Sequence, residues 1–130
     1  MYIKLDGNMC LASTTDEVIY RGEDLSEKII YLLPISIGKI DLADASVYLG
    51  HIGESGDSGA VALKRIDKKH NESYYQYTVP ATCEMARRAG WVKSWLTIFT
   101  GQNFCPIVCK TGECFLHIDD PNNMDSHMQA

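Results

Sequence analysis

The chain has 130 residues, a hydrophobic share of 45%, a charged share of 22% and a formal net charge of −5. That is the make-up of one ordinary globular domain, which buries roughly two thirds of its unfolded surface and needs no staple to hold a core. The modest negative charge offers no basic stripe for nucleic acid, and no apolar run approaches the ~18 residues of a membrane helix.

The first residues, MYIKLDGNMC, lack the basic start and apolar run of a signal peptide. The chain is therefore expected to stay in the cytosol or to leave it by a route other than secretion. Five cysteines, Cys10, Cys83, Cys105, Cys109 and Cys114, are an odd number in a reducing compartment, so they read as free thiols that pack as small hydrophobes.

Asp6-Gly7 between Tyr2–Leu5 and Met9–Leu11 predicts a hairpin. Ala12 to Asp24 is polar and loop-like, with a short strand expected at Val18-Ile19-Tyr20. Leu25 to Leu33 turns continuously apolar and stops at Pro34. Its Ile29, Ile30 and Tyr31 favour a central strand buried on both sides toward its end. Gly38 to Ala43 reads as a connection, and Ala45 to Ile52 as a strand with Ala45, Val47 and Leu49 toward the core. Gly53 to Gly59 has three glycines and nothing apolar, which suits the tip of a hairpin into a strand at Ala60 to Ile66. Asp67 to Asn71 reads as a solvated turn. Glu72 to Val79 reads as a strand with Tyr75, Tyr77 and Val79 on one face. In Pro80 to Ala89, a Thr82 cap, a Glu84/Arg88 spacing and Gly90 predict about two turns of helix crossing between sheets.

Gly90 to Ile118 holds three apolar runs cut by Gly101-Gln102-Asn103 and Thr111-Gly112, the pattern of an antiparallel three-stranded meander. Alternation puts Val92, Ser94, Leu96 and Ile98 on one face and Trp91, Lys93, Trp95, Thr97 and Phe99 on the other. It likewise sets Cys114, Leu116 and Ile118 against Glu113, Phe115 and His117. The aliphatic face is read as core. Trp91, Trp95 and Phe99 are the candidate binding residues, either as platforms for a sugar ring or as anchors for a partner. The alternative is that they too pack inside the sandwich. With about eight or nine short strands, the expected fold is all-β, an immunoglobulin-like antiparallel β-sandwich with one short helical crossover. Residues 1–118 form the domain and 119–130 a polar C-terminal tail or linker.

Catalytic and metal patterns are weak. Gly56-Asp57-Ser58-Gly59 reproduces the residues around the nucleophile of trypsin-like serine proteases. That chemistry needs a histidine on the serine and an acid on the histidine. His51 lies only seven residues upstream, and the chain is too short for a second barrel, so a Gly-rich loop is the reading. His51, His70, His117 and His127 form no metal-ligand spacing, and Cys105, Cys109 and Cys114 are not spaced as a zinc knuckle. Neither a catalytic site, a metal nor a cofactor is expected.

The segment NESYYQYTVPATCEMARRAGWVKSWLTI with KTGECFLHI, and upstream YRGEDLSEKIIYLLP with DLADASVYLGHI, resembles small phage and prophage structural proteins of Gram-positive gut bacteria. The layout from Tyr2 to Ile118 is similar to the N-terminal domain of baseplate upper proteins. Those proteins continue into helical and receptor-facing segments, whereas this sequence stops at Ala130. The resemblance implies a non-enzymatic tail or baseplate component of the virion, assembled in the bacterial host cytoplasm. Its implied partners are other tail or baseplate proteins and further copies of itself, with neither nucleic acid nor membrane. A carbohydrate-binding sandwich is the alternative.

Overall fold

A computed structural model describes residues 1–14, 17–101 and 107–122. The chain starts with the expected hairpin, β1 (Tyr2–Leu5) and β2 (Leu11–Ser13). Its turn is held by the Asp6 carboxylate, which accepts from the N–H groups of Asn8 and Cys10. β3 (Ile19–Tyr20) follows. Leu25–Glu27 is a 3-10 turn capped by Asp24, whose carboxyl is held below its ordinary value by its bonds to Ser26. The predicted strand therefore begins late, as β4 (Ile30–Pro34), because the cap spends the first residues of the run on a turn. Tyr31, Leu32 and Leu33 are all buried, as expected of a central strand.

Gly38-Lys39, where Gly38 has φ +59°, closes a small hairpin of β5 (Ser36–Ile37) and β6 (Ile40–Asp41), which starts ahead of the connection expected at Gly38 to Ala43 and runs into it. β7 (Ser46–Gly53) and β8 (Ser58–Ala62) form the hairpin whose tip is the Gly-rich segment. The predicted strand Ala60 to Ile66 is split at Leu63, a buried residue where the chain leaves one sheet for the other and starts β9 (Lys64–His70). Asp67 to His70 is therefore strand and not turn. β9 lies at a sheet edge, where a row of charged side chains is tolerated in solvent. β10 (Tyr74–Thr78) buries Tyr75 and Tyr77, with Val79 just beyond it.

The crossover from Pro80 to Ala89 contains no helix. Cys83 N–H bonds Pro80 O and Arg87 N–H bonds Glu84 O, two isolated turns that never propagate. Tertiary partners outweigh a helix this short, whose first turn is costly to nucleate. Met85 and Ala86 are buried, Ala86 O accepts from Gly22 N–H, and Arg88 pairs with Asp57 instead of Glu84.

β11 (Gly90–Thr100), β12 (Ile107–Lys110) and β13 (Cys114–Asp119) complete the fold. The turn signal at Gly101-Gln102-Asn103 and Cys105 fall largely outside the described residues. The meander order is not what forms: β12 and β13 occupy successive stretches of the same edge of β11. Thr97 faces Lys110, whereas Ser94 faces Cys114, so two residues of β11 stand opposite three. Thr111-Gly112-Glu113 is thus a one-residue bulge and not a hairpin turn. The bulge restores the parity that keeps Cys109, Thr111, Cys114, Leu116 and Ile118 on the inner side.

The result is an all-β sandwich. One sheet has the order β2-β1-β4-β10-β9, and the other β3-β13-β11-β7-β8 with β12 on β11. The neighbours β1-β4-β10-β9 facing β13-β11-β7-β8 are those of strands A-B-E-D and G-F-C-C′ of an immunoglobulin-like sandwich. Two pairings depart from the expected antiparallel arrangement. β1 runs parallel to β4 and β3 parallel to β13, directions that alternation does not encode. Strand β13 also takes in Asp119, the first residue of the expected tail, and residues 123–130 of that tail lie outside the described residues.

The core lies between the sheets. Ile3, Leu5, Tyr31, Leu33, Tyr75 and Tyr77 meet Val47, Leu49, Val92, Leu96, Ile98, Leu116 and Ile118. Among the described residues the Tyr31 hydroxyl makes no well-formed hydrogen bond there; burial and the Cys114 and Cys83 thiols push its pKa up, opposed by the neighbouring Ser94 hydroxyl. Ser94, also fully buried, spends its own hydroxyl on Cys114 O at 3.0 Å.

Candidate functional site

Alternation along β11 has the outcome that the aliphatic pattern implied. Val92, Ser94, Leu96 and Ile98 are buried, and Trp91, Trp95 and Phe99 lie on the outer face of the six-stranded sheet. Trp91 is 52% exposed and Phe99 40% exposed, while Trp95 is half-buried within the outer face. The reading that these aromatics pack inside the sandwich is therefore excluded.

Register extends the face across neighbouring strands. Thr97 pairs with Tyr48, Trp95 with Gly50 and Lys93 with Ile52 on β7. On the other side Phe99 pairs with Val108, Lys93 with Phe115 and Trp91 with His117. Paired residues share a face, so Tyr48, Val108 and Phe115, all exposed, join the candidate residues. Phe115 was already on the aromatic side of its strand by alternation. Tyr48 was missed because nothing in the sequence says which strand lies beside β11.

Each ring has a distinct setting. Trp95 lies over Gly50, where a Cβ would sit 2.6 Å from the indole, so glycine makes the floor on which the ring rests. From the strand on the opposite side, the Lys110 ammonium sits 4.8 Å from the centre of the same indole. Tyr48 and Phe99 meet edge to face at 5.5 Å, beside an open groove lined also by Ser46, Ala60 and Thr97. Trp91 stands edge-on to His117 at 4.9 Å, and His117 Nδ1 is 2.5 Å from the Asp119 carboxylate. The backbone of Trp91 is clamped by Glu54, whose N–H donates to Trp91 O and whose carboxylate accepts from Trp91 N–H, both at 3.0 Å. Gly90, at φ +119°, lets the chain enter β11 under that carboxylate. Lys93 and Glu113 form a 3.7 Å ion pair between the rings. The face is thus an aromatic surface on a rigid sheet, with a few charges already paired to one another.

The Gly-Asp-Ser-Gly segment lies at one end of the sandwich, on a cleft of about 100 Å³ lined by His51, Glu54, Asp57, Ser58, Glu84 and Arg88 among others. No hydrogen bond joins His51 to Ser58 among the described residues. Register sets His51 opposite Gly59 and Ser58 opposite Ile52, which puts hydroxyl and imidazole on opposite faces of the hairpin. Asp57 is engaged by Arg88 and by Ser55 instead of by a histidine. His51 is buried against Gly59, and burial lowers its pKa, opposed by the nearby Glu84. Among the described residues, Cys10, Cys83, Cys109 and Cys114 are free thiols, and no group of three or more side chains could hold a metal ion. Burial raises the pKa of Cys83 and of Cys114.

No protein-family model matches the chain, and comparison with curated proteins finds no matching sequence. The fold and its surface make the chain an all-β sandwich with an exposed aromatic sheet face.

Proposed function

We propose that the chain is a non-enzymatic structural or attachment module of a phage virion, in the tail or baseplate, acting through protein–protein contacts. The observation that carries the contact role is the outer face of the six-stranded sheet, where Trp91, Phe99, Tyr48 and Phe115 are exposed on paired strands. Aromatic anchors on a rigid frame supply most of the energy of protein interfaces, because they bury large area with little loss of side-chain freedom. The virion assignment rests on the sequence resemblance, and the aromatic face is consistent with it. The test is a pull-down from an induced lysogen lysate, read by mass spectrometry, with the wild-type chain and a Trp91→Ala/Phe99→Ala variant. Tail or baseplate proteins retained by the first and lost by the second are expected. Retention unaffected by the two substitutions, or no virion protein retained, refutes the proposal.

A carbohydrate-binding face is the second reading. Trp91 favours it, as an exposed ring beside the hydrogen-bonding pair His117 and Asp119. Trp95 opposes it, because Gly50 and Lys110 already contact its ring. Binding on a glycan array that Trp91→Ala abolishes would favour this reading over the first.

A further inference from the structure

The edges of the two sheets are unequal. β2 has three residues and β3 two, too short to template another strand. β9 carries Lys64, Arg65, Asp67, Lys68 and Lys69, charges that discourage pairing. The hydrogen bond from Thr111 N–H to Leu96 O sets the parity of β12, which leaves only Val108 and Lys110 with backbone groups turned outward. β8, Ser-Gly-Ala-Val-Ala, is different: five residues with neither charge nor proline, paired on one side only. Among the described residues none of the devices by which proteins blunt a free edge is present along it.

Parity identifies the open groups. Gly53 N–H bonds Asp57 O and Leu63 N–H bonds Val47 O, with one unbroken register between them. Asp57, Gly59, Val61 and Leu63 therefore turn their backbone groups toward β7, and Ser58, Ala60 and Ala62 turn theirs outward. No backbone bond to these outward groups occurs among the described residues.

We infer that the β8 edge pairs antiparallel with the β8 edge of a second copy, making a two-fold dimer whose six-stranded sheets run on into one another. The segment is self-complementary about Ala60. With Ala60 facing Ala60 of the second copy, Ser58 faces Ala62 at either end. Each copy then donates three backbone hydrogen bonds, from Ser58, Ala60 and Ala62, and accepts three. The side chains that meet across the axis are small and uncharged, so nothing is forced apart. A second copy is the occupant favoured by this symmetry, since one set of outward groups satisfies its own twin. The strip is narrower than the ~1,200 Å² of a standard interface, so the dimer belongs to the weak, exchanging class. The net charge of −5 on each copy opposes association, and salt should therefore raise the dimer fraction.

The dimer does not rest on the aromatic docking role, but Ala60 also lines the groove beside Tyr48 and Phe99, so the dimer is read by sedimentation of the chain alone. Ala60 is exposed, so Ala60→Lys should leave the melting temperature of the monomer unchanged while setting two like charges opposite each other in the dimer. Sedimentation of the wild type should show a concentration-dependent shift toward twice the monomer mass. Ala60→Lys should abolish the shift, and an equimolar mixture of Ala60→Lys and Ala60→Glu should restore it. A wild type that stays monomeric up to millimolar concentration overturns the inference. So does a dimer untouched by Ala60→Lys, a mixture that fails to pair, or a dimer fraction that falls as salt rises. Trp91→Ala, on β11 and away from the β8 edge, should leave this dimer intact, so that loss of docking and loss of the dimer are told apart.

Discussion

Replacing Thr111 with valine changes one hydroxyl into one methyl at the bulge that sets the register of β13. The Thr111 Oγ1 accepts from the N–H of Leu96 at 2.9 Å and donates to Gly112 O at 3.0 Å, while its backbone N–H bonds Leu96 O. Both Thr111 and Leu96 are buried, so in the valine variant no water replaces the lost acceptor. Leaving a buried donor unsatisfied costs about 1–3 kcal/mol, and valine recovers little of it because the volume is unchanged. For a domain of this size each kcal/mol lowers the melting temperature by roughly 3–5 °C. Urea denaturation should therefore show a lower midpoint with an unchanged slope. Thr111→Ser, which keeps the oxygen and loses the methyl, should cost less than valine. A valine variant within ~0.5 kcal/mol of wild type, or a serine variant worse than valine, would refute the view that this side chain closes the ladder where the strand is bulged.

Three other outcomes follow from the core. Leu96→Ala, at a fully buried position, should cost ~2–5 kcal/mol in urea denaturation, whereas Trp91→Ala should cost under ~0.5 kcal/mol; the reverse order would turn the sheet inside out. Tyr31→Phe removes a buried hydroxyl whose neighbour Ser94 spends its own proton on Cys114 O, so stability should not fall, and a loss of about 1 kcal/mol or more would show that the two hydroxyls are bonded. His51 is held below its ordinary pKa by burial, so the unfolded chain takes up that proton at higher pH than the folded one. Its contribution is complete above about pH 6.5 and is lost as pH falls below it. His51→Gln should flatten the fall in urea midpoint between about pH 7 and pH 5, and an unaltered slope would contradict the assignment.

The faces of the strands were legible because burial alternates with period two. Val92 through Ile98, Tyr75 with Tyr77, and Cys114 through Ile118 all lie on the sides their patterns implied. What the pattern could not carry was pairing and direction. The parallel course of β1 beside β4 depends on a crossover of 24 residues, Asp6 to Ile29, and no local signal reports it. The same holds for the partner edge of β11. A Thr-Gly dipeptide reads equally as a turn or as a bulge, and only the register against Ser94 and Thr97 decides. Leu63 looked like one more strand residue because a seam between sheets is as apolar as the sheets themselves. Pro80 to Ala89 misled in the opposite sense: its helix signals were local, and the contacts of Met85, Ala86 and Arg88 overrode them. Of the candidate site, Trp91, Trp95 and Phe99 were readable from one strand, whereas Tyr48 and the Gly50 floor needed the neighbouring strand in place.

On the proposed function, the chain meets its partner through the outer face of the six-stranded sheet. Site-specific photo-crosslinking during virion assembly tests it most directly, with p-benzoylphenylalanine at Phe99 and, as control, at Gln76 on the outer face of the other sheet. Adducts with tail or baseplate proteins are expected from Phe99 and none from Gln76. Equal adducts from both positions, or adducts from Gln76 alone, would contradict it.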